Sequence, residues 1–285
     1  MSTTATASEK KSVPKLKAPA GSCDTHMHFY DKRFPLAKTA ASAPPEDGSV
    51  ATYRAMQRRI GFSRTVVVQP TAYGLDNSCT LAGMAELGKA NARGVAVIDD
   101  KVTDAELARL DAAGMRAARL HMLPGGAISW DIADAVVKRA QSVGWHTQLQ
   151  MDGKLLPDRE RQIRAWPGRV VIDHIGRIAD PVSVDNPAFR CLLRLVDTGK
   201  VWMKLSGPYI VSKAGPPRYA DVSELAKTLA KAAPERMLWA TNWPHPSEKE
   251  PPDEAALFDL LLDWASDETT RRRILVDNPA ALYGF

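Results

Sequence analysis

From residue 22 onward, short runs of β-branched and other apolar residues alternate with longer stretches in which apolar residues recur every three or four positions. The first kind of run marks a buried strand and the second an amphipathic helix. Strands are predicted over 22–29, 64–71, 94–98, 115–122, 145–151, 169–175, 201–206 and 236–241. Helices are predicted over 52–60, 79–90, 104–113, 130–143, 159–166, 187–198 and 222–233, with a final pair at 254–265 and 267–277. Thr103 followed by Glu106 has the form of a capping box. Gly61, Gly114, Gly144 and Gly168 stand just before strands, where a helix that ends left-handed needs a residue without a Cβ.

Eight strands alternating with helices predict an α/β chain closed into a single-domain (β/α)8 TIM barrel over residues 20–285, because right-handed crossovers carry the sheet around. A doubly wound open sheet is the alternative. Its usual Gly-rich turn after the first strand is replaced here by Phe29-Tyr30-Asp31. Residues 1–19, rich in Ser, Thr, Ala and Lys, are expected to form a flexible N-terminal arm or to add a short strand under the barrel floor.

Composition narrows the function classes. The formal charge of +5 is spread along the chain, and Arg271-Arg272-Arg273 is the only run of three basic residues. That reads as a solvated helix face rather than a nucleic-acid surface, and a mild positive excess helps to draw in a small anion. Cys23, Cys79 and Cys191 have no paired spacing, so free buried thiols in a reducing compartment are expected. No apolar run resembles a signal peptide or a membrane span of about 20 residues, so the expectation is a cytoplasmic protein without a membrane partner.

In a barrel of this kind the C-terminal ends of the strands carry the chemistry. His26 and His28 stand two apart on the first strand and share one face. His174 ends the sixth strand, and Asn242, Trp243 and His245 follow the eighth. Arg119 and His121 share a face of the fourth strand, as do Gln148 and Gln150 on the fifth. His146 lies at the opposite end of that fifth strand.

Asp24-Thr25-His26-Met27-His28, Asp173-His174-Ile175-Gly176-Arg177, Trp239-Ala240-Thr241-Asn242-Trp243-Pro244-His245, and Val68-Gln69-Pro70-Thr71 with Asp76-Asn77 occur in that family's order on that family's strands: together they resemble the amidohydrolase superfamily. The resemblance runs from about Pro19 to Phe285 and is strongest to its branch of lactonases and lactone isomerases. Metal-dependent members of the superfamily hold ions with the strand-one histidines, a middle-strand lysine or histidine, and a strand-eight aspartate. Here glutamines occupy the mouth of strand five, and an amide is a poor zinc ligand. The resemblance therefore implies a site with no metal and no cofactor, as in the lactonase branch.

The lactonases carry an aspartate where this chain has Asn242, and that carboxylate would remove a proton from the attacking water. An amide has no such basicity. A lactone with its own free hydroxyl needs no water, since intramolecular attack reaches effective molarities of roughly 10^5–10^8 M. The expected activity is isomerisation of a small anionic sugar-acid lactone, such as D-galactaro-1,5-lactone to the 1,4-lactone in galacturonate breakdown. The alternatives are hydrolysis of a dicarboxylate lactone such as 2-pyrone-4,6-dicarboxylate, a metal-dependent decarboxylase, and a sugar-acid binding protein without catalysis. The expected catalytic set is His26, His28, His174 and Asn242, with the histidines around the lactone carbonyl. Arg119 matches the lactonase arginine that holds a carboxylate; Gln150, Thr71, His121, Tyr209 and Arg177 are the other expected substrate contacts. Tyr209 and Ile210 after strand seven suggest a substrate with one free carboxylate. Gln148 reads as part of a core network, His245 as a brace for its turn, and Tyr73 and Trp243 as divided between pocket and packing.

Overall fold

The computed structural model describes residues 12–40, 43–246 and 248–285. Eight parallel strands follow one another around a single sheet in chain order: β1 (Cys23–Met27), β2 (Arg64–Val68), β3 (Ala92–Ala96), β4 (Met115–His121), β5 (His146–Gln150), β6 (Val170–Ile172), β7 (Val201–Leu205) and β8 (Met237–Trp239). Helices α1 (Val50–Ile60), α2 (Ser78–Leu87), α3 (Asp104–Ala112), α4 (Trp130–Ser142), α5 (Leu156–Ala165), α6 (Pro187–Asp197) and α7 (Ala220–Ala232) connect them. This is the predicted single-domain (β/α)8 barrel.

Strand parity sorts the side chains. Val67, Ala118, Leu149, Ile172, Met203 and Trp239 point outward into the core shared with the helices. Val66, Val95, Ala117, Val171, Trp202 and Leu238 point inward and form an apolar floor. Leu282 and Tyr283 of the last helix, α11 (Asn278–Tyr283), join that floor from below. His146 stacks against Tyr283 there, its ring 5.0 Å away, at the end of the barrel remote from the mouth.

The observed strands stop short of the predicted ones because the residues at the mouth leave the sheet. The clearest case is β6, predicted to 175 but ending at Ile172, after which His174 and Ile175 adopt φ of 53° and 52°. Thr103 caps α3 through its hydroxyl, but Glu106 turns to Arg109 rather than back to the cap, so only half of the predicted capping box forms. The predicted helix at 254–265 breaks into α8 (Glu254–Asp259) and α9 (Leu261–Trp264). The one at 267–277 becomes α10 (Glu268–Arg272) and a wider turn over 273–277 that runs into α11. Of the segment 1–19 expected to be a flexible arm, residues 1–11 lie outside the described residues. Leu16 is buried, and its amide and that of Lys15 bond to Asp259.

The sheet has one weak seam, between β8 and β1, and side chains as well as backbone bonds close it. Asn242 donates its backbone N–H to His26 O at 2.9 Å, and His28 donates to Trp243 O at 2.8 Å. Asp24 carries the rest: it accepts from the Thr241 N–H (3.0 Å), the Thr241 hydroxyl (2.6 Å), the His26 N–H (3.2 Å) and the Tyr53 hydroxyl of α1 (3.1 Å). Two steps along β2, from Thr65 to Val67, match three along β1, from Asp24 to Met27. This bulge flips the parity of β1, so that Cys23 faces the floor, Asp24 faces α1, and His26 again faces the lumen.

Burial pushes the Asp24 carboxyl up to about 6 in spite of its four donors. Asp24→Asn puts an amide against groups that all donate. It is expected to cost about 2–3 kcal/mol in urea unfolding at pH 7.5, with Tyr53→Phe costing about 1 kcal/mol.

Candidate active site

Above the apolar floor, the next inward layer is charged. Lys204 of β7 is fully buried, and its ammonium donates to Gln148 Oε1 at 2.7 Å and to His26 Nδ1 at 3.3 Å, with Asp173 Oδ1 at 3.5 Å. Gln148 in turn donates to Asp173 Oδ2 at 3.0 Å. Three protons on one nitrogen meet three acceptors, and the carboxylate beside them balances the charge. Burial lowers the Lys204 pKa to about 8, with Asp173 opposing the shift, so the group stays largely charged at neutral pH.

That ammonium settles whether the cluster can hold a metal. Among the described residues His26, Asp173 and His174 present ligand atoms within 4.8 Å of one another. Lys204 already contacts two of the three, so a divalent cation there would meet an ammonium within contact distance. Asn242 offers no charge from the eighth strand. The residues present do not fit the metal centre of the wider superfamily.

The histidine tautomers follow from fixed acceptors. His28 Nδ1 lies 2.7 Å from Val68 O, which can only accept, so that nitrogen carries the proton. Its Nε2 is then a lone pair and accepts from His26 Nε2 at 3.1 Å. His26 Nδ1 is left to accept from Lys204. Burial and the Lys204 and Arg119 cations hold His26 well below its ordinary pKa, and they lower His28 to about 3. His174 is pushed the same way by burial and by His26, and its Nδ1 bonds Ser206 Oγ at 2.9 Å. All three rings are neutral at working pH.

A cavity of about 340 Å³ opens above this layer, of the size that takes one small ligand. His28, His174 and Asn242 line it, and so do Arg119, Gln150, Thr71, His121, Tyr209 and Arg177. His26 does not reach it. It lies fully buried behind His28 and bonds that ring's Nε2 instead of facing a ligand. The sequence placed all three histidines around the ligand because parity reports the face a residue shares, not its depth.

The other polar groups of the cavity have valences to spare. Arg119 is buried and donates to Gln69 O (2.7 Å) and Gln150 Oε1 (2.8 Å), while its Nε has no hydrogen-bond partner. His121 Nδ1 is likewise without one. Burial lowers the pKa of both Arg119 and Arg177, and among the described residues neither guanidinium forms an ion pair. Two guanidiniums facing one cavity make an anion site.

Asn242 Nδ2 donates to the Tyr209 hydroxyl at 2.9 Å, and Tyr209 lies 2.8 Å from His245 Nδ1. Asn242, His174, Arg177 and His245 all have positive φ, between 51° and 61°. Such backbone is uncommon outside glycine and clusters where side chains are aimed at a ligand. Tyr73 binds Asp31 in its turn, and Trp243 packs on Tyr53 and Phe29. Sequence reasoning missed Tyr30 and Glu248, which also line the cavity, and gave no role to Asp173 or Lys204. Lys204 left a signal: it interrupts the apolar run Val201-Trp202-Met203-Lys204-Leu205 at an inward position.

The amidohydrolase family pattern matches residues 23–285. The chain is 38% identical to D-galactarolactone isomerase of Agrobacterium fabrum over 277 residues, covering 95% of this chain and 94% of that one. It is 34% identical to a 2-pyrone-4,6-dicarboxylate hydrolase of Comamonas testosteroni over 286 residues, covering 95% and 93%. The crystal structure of an Agrobacterium tumefaciens protein without ligand superposes with a TM-score of 0.91 at 37% identity, covering 96% of this chain and 97% of that one.

Burial lowers the pKa of five of the six histidines, namely His26, His28, His121, His146 and His174. A depressed pKa gives stability that is complete above the unfolded value of 6.5 and is lost as pH falls toward about 3. Asp24, raised from 3.8 to about 6, acts in the opposite sense and cancels about one proton near pH 5. Five less one predicts uptake of about four protons on unfolding near pH 5. Urea melts between pH 7 and 4.5 should show stability falling steeply below pH 6.5.

Proposed function

The chain belongs to the amidohydrolase family, and we propose that it is an enzyme that isomerises the lactone of an aldaric acid, D-galactaro-1,5-lactone to D-galactaro-1,4-lactone, without a metal ion. In this reading the free hydroxyl on the substrate's own ring attacks the lactone carbonyl. The tetrahedral intermediate then collapses by releasing the original ring oxygen. The observation that carries the proposal is Asn242 at the mouth of the barrel, an amide bonded to Tyr209 where a water-activating carboxylate would stand. A pocket that holds a lactone beside an amide at that position favours a nucleophile already held in the same molecule.

Each wall has a part in this scheme. Arg119 and Arg177 hold the free carboxylate, and Arg119 Nε and His121 Nδ1 supply the unfilled valences. Gln150 and Thr71 lie along the same side, where sugar hydroxyls can meet them. His28 and His174 flank the carbonyl as neutral rings, with Lys204 and His26 holding His28 in place. The second N–H of Asn242 is available to the developing oxyanion. The step belongs to galacturonate breakdown.

The pair Arg119 and Arg177 also suits a substrate with two carboxylates, and that favours a second reading: hydrolysis of a dicarboxylate lactone, the class of the Comamonas relative. The two readings differ in product. D-galactaro-1,5-lactone followed by 13C NMR in H2(18)O is expected to give the 1,4-lactone with no 18O in its carboxyl group; an open-chain aldarate carrying 18O identifies a hydrolase.

Two substitutions test the residues. Asn242→Asp is expected to introduce 18O-labelled open-chain acid by restoring a base, and if it yields no more hydrolysis than the parent, Asn242 is not what withholds water. His174→Ala is expected to lower turnover by about 100-fold or more, measured with the same lactone.

A further inference from the structure

An isomerisation by hydroxyl attack needs a place for one proton while the tetrahedral intermediate exists. Two of the residues nearest the carbonyl are poor choices. Both nitrogens of His28 are engaged, with Val68 O and His26, and Asn242 has no basicity. A different route leaves the cavity on the side of Tyr209.

Tyr209 lines the cavity and its hydroxyl accepts from Asn242; with the His245 proton on Nε2, toward Glu254, the Tyr209 proton is directed at His245 Nδ1, 2.8 Å away. His245 is buried, and among the described residues its other ring nitrogen, Nε2, has no hydrogen-bond partner. Glu254 Oε1 stands 3.8 Å from that nitrogen, and the other carboxylate oxygen is held by Arg59. A histidine that only braced its turn would be expected to satisfy both nitrogens. This one keeps a nitrogen aimed at a buried carboxylate just beyond bonding distance, where a positive charge on the ring would draw the two together.

We propose that Tyr209, His245 and Glu254 form a proton relay that serves the substrate hydroxyl, with Tyr209 the catalytic residue and His245 the site where the proton rests. The order hydroxyl, imidazole, carboxylate is that of an activated nucleophile, with the substrate hydroxyl added at the open end. As the new acyl–oxygen bond forms, the substrate O–H breaks and its proton passes to Tyr209 Oη. The proton of Tyr209 passes to His245 Nδ1, and the imidazolium faces Glu254. On collapse the original acyl–oxygen bond breaks, and the leaving oxygen takes a proton from Tyr209, which His245 refills. No proton is gained or lost overall. Burial raises the Tyr209 pKa above its ordinary value, so the phenol passes the proton on rather than holding a charge. The two substrate oxygens sit on neighbouring carbons, so one tyrosine serves both.

The inference rests on the isomerase reading for its substrate, and the test separates the two. Tyr209→Phe, His245→Gln and Glu254→Gln are assayed with D-galactaro-1,5-lactone by NMR, with thermal melting as the control for folding. Glutamine at 245 can still accept a hydrogen bond from Tyr209 but cannot hold a proton. The expected results are a fall in kcat of about 100-fold for Tyr209→Phe and His245→Gln with KM within threefold, and partial rescue of His245→Ala by added imidazole. A smaller fall is expected for Glu254→Gln. A parent that makes open-chain acid overturns the isomerase reading, and the relay is then read on that hydrolysis with the same variants. A folded His245→Gln within threefold of the parent kcat overturns the relay. So does a loss that appears in KM alone, which would make the three residues a binding wall.

Discussion

The site is organised around one buried ion pair, Lys204 with Asp173, placed where a barrel of this kind would otherwise continue its apolar filling. Taking both charges out of water is costly, and the pair is retained only because every remaining valence of the ammonium is met. Gln148 bridges its two ends, and His26 takes the third proton. Asp173 is also the residue at which β6 stops, so the same pair fixes the start of the left-handed turn that carries His174 and Arg177 to the cavity. Structure and chemistry are joined at that point.

From this anchor the protonation pattern spreads outward. Burial and the lysine cation keep His26 neutral, and the ammonium fixes which nitrogen bears its proton; Val68 O does the same for His28. The cavity therefore presents neutral rings and two guanidiniums. Such a site can bind a carboxylate and polarise a carbonyl, and after the eighth strand it presents an amide in place of a base. Asn242 follows the same logic, because it keeps the hydrogen-bond geometry of a carboxylate without its basicity. The ammonium lies against two of the three clustered groups, His26 and Asp173, that could otherwise hold a cation.

Much of this was legible in the chain. The alternation of period-two and period-3.6 segments marks eight strands in the right order, and position at the strand ends, with shared parity for Arg119 and His121, brings Arg119, His121, Gln150 and His174 to one mouth. What escaped was depth and curvature. Strand ends were read too long because apolar composition continues past the point where Asp173 and His174 turn away. His26 was placed beside the ligand because the bulge in β1 and the thickness of the polar layer are tertiary facts. Lys204 was overlooked since a lone lysine in a strand usually faces solvent, and only closure of the barrel gives it three partners. The break of the last helices also depends on packing under the floor, where Leu282 and Tyr283 meet residues far away in sequence.

The Lys204 ammonium and the Val68 carbonyl hold the strand-one histidines as neutral rings in defined tautomers. Nitrogen-15 NMR of the histidine side chains at pH 7 tests it most directly. The predicted spectrum has His28 protonated on Nδ1 alone and His26 on Nε2 alone, with the His26 pattern altered in Lys204→Met. An imidazolium at either ring, or a His26 proton on Nδ1 facing Asp173, would contradict it.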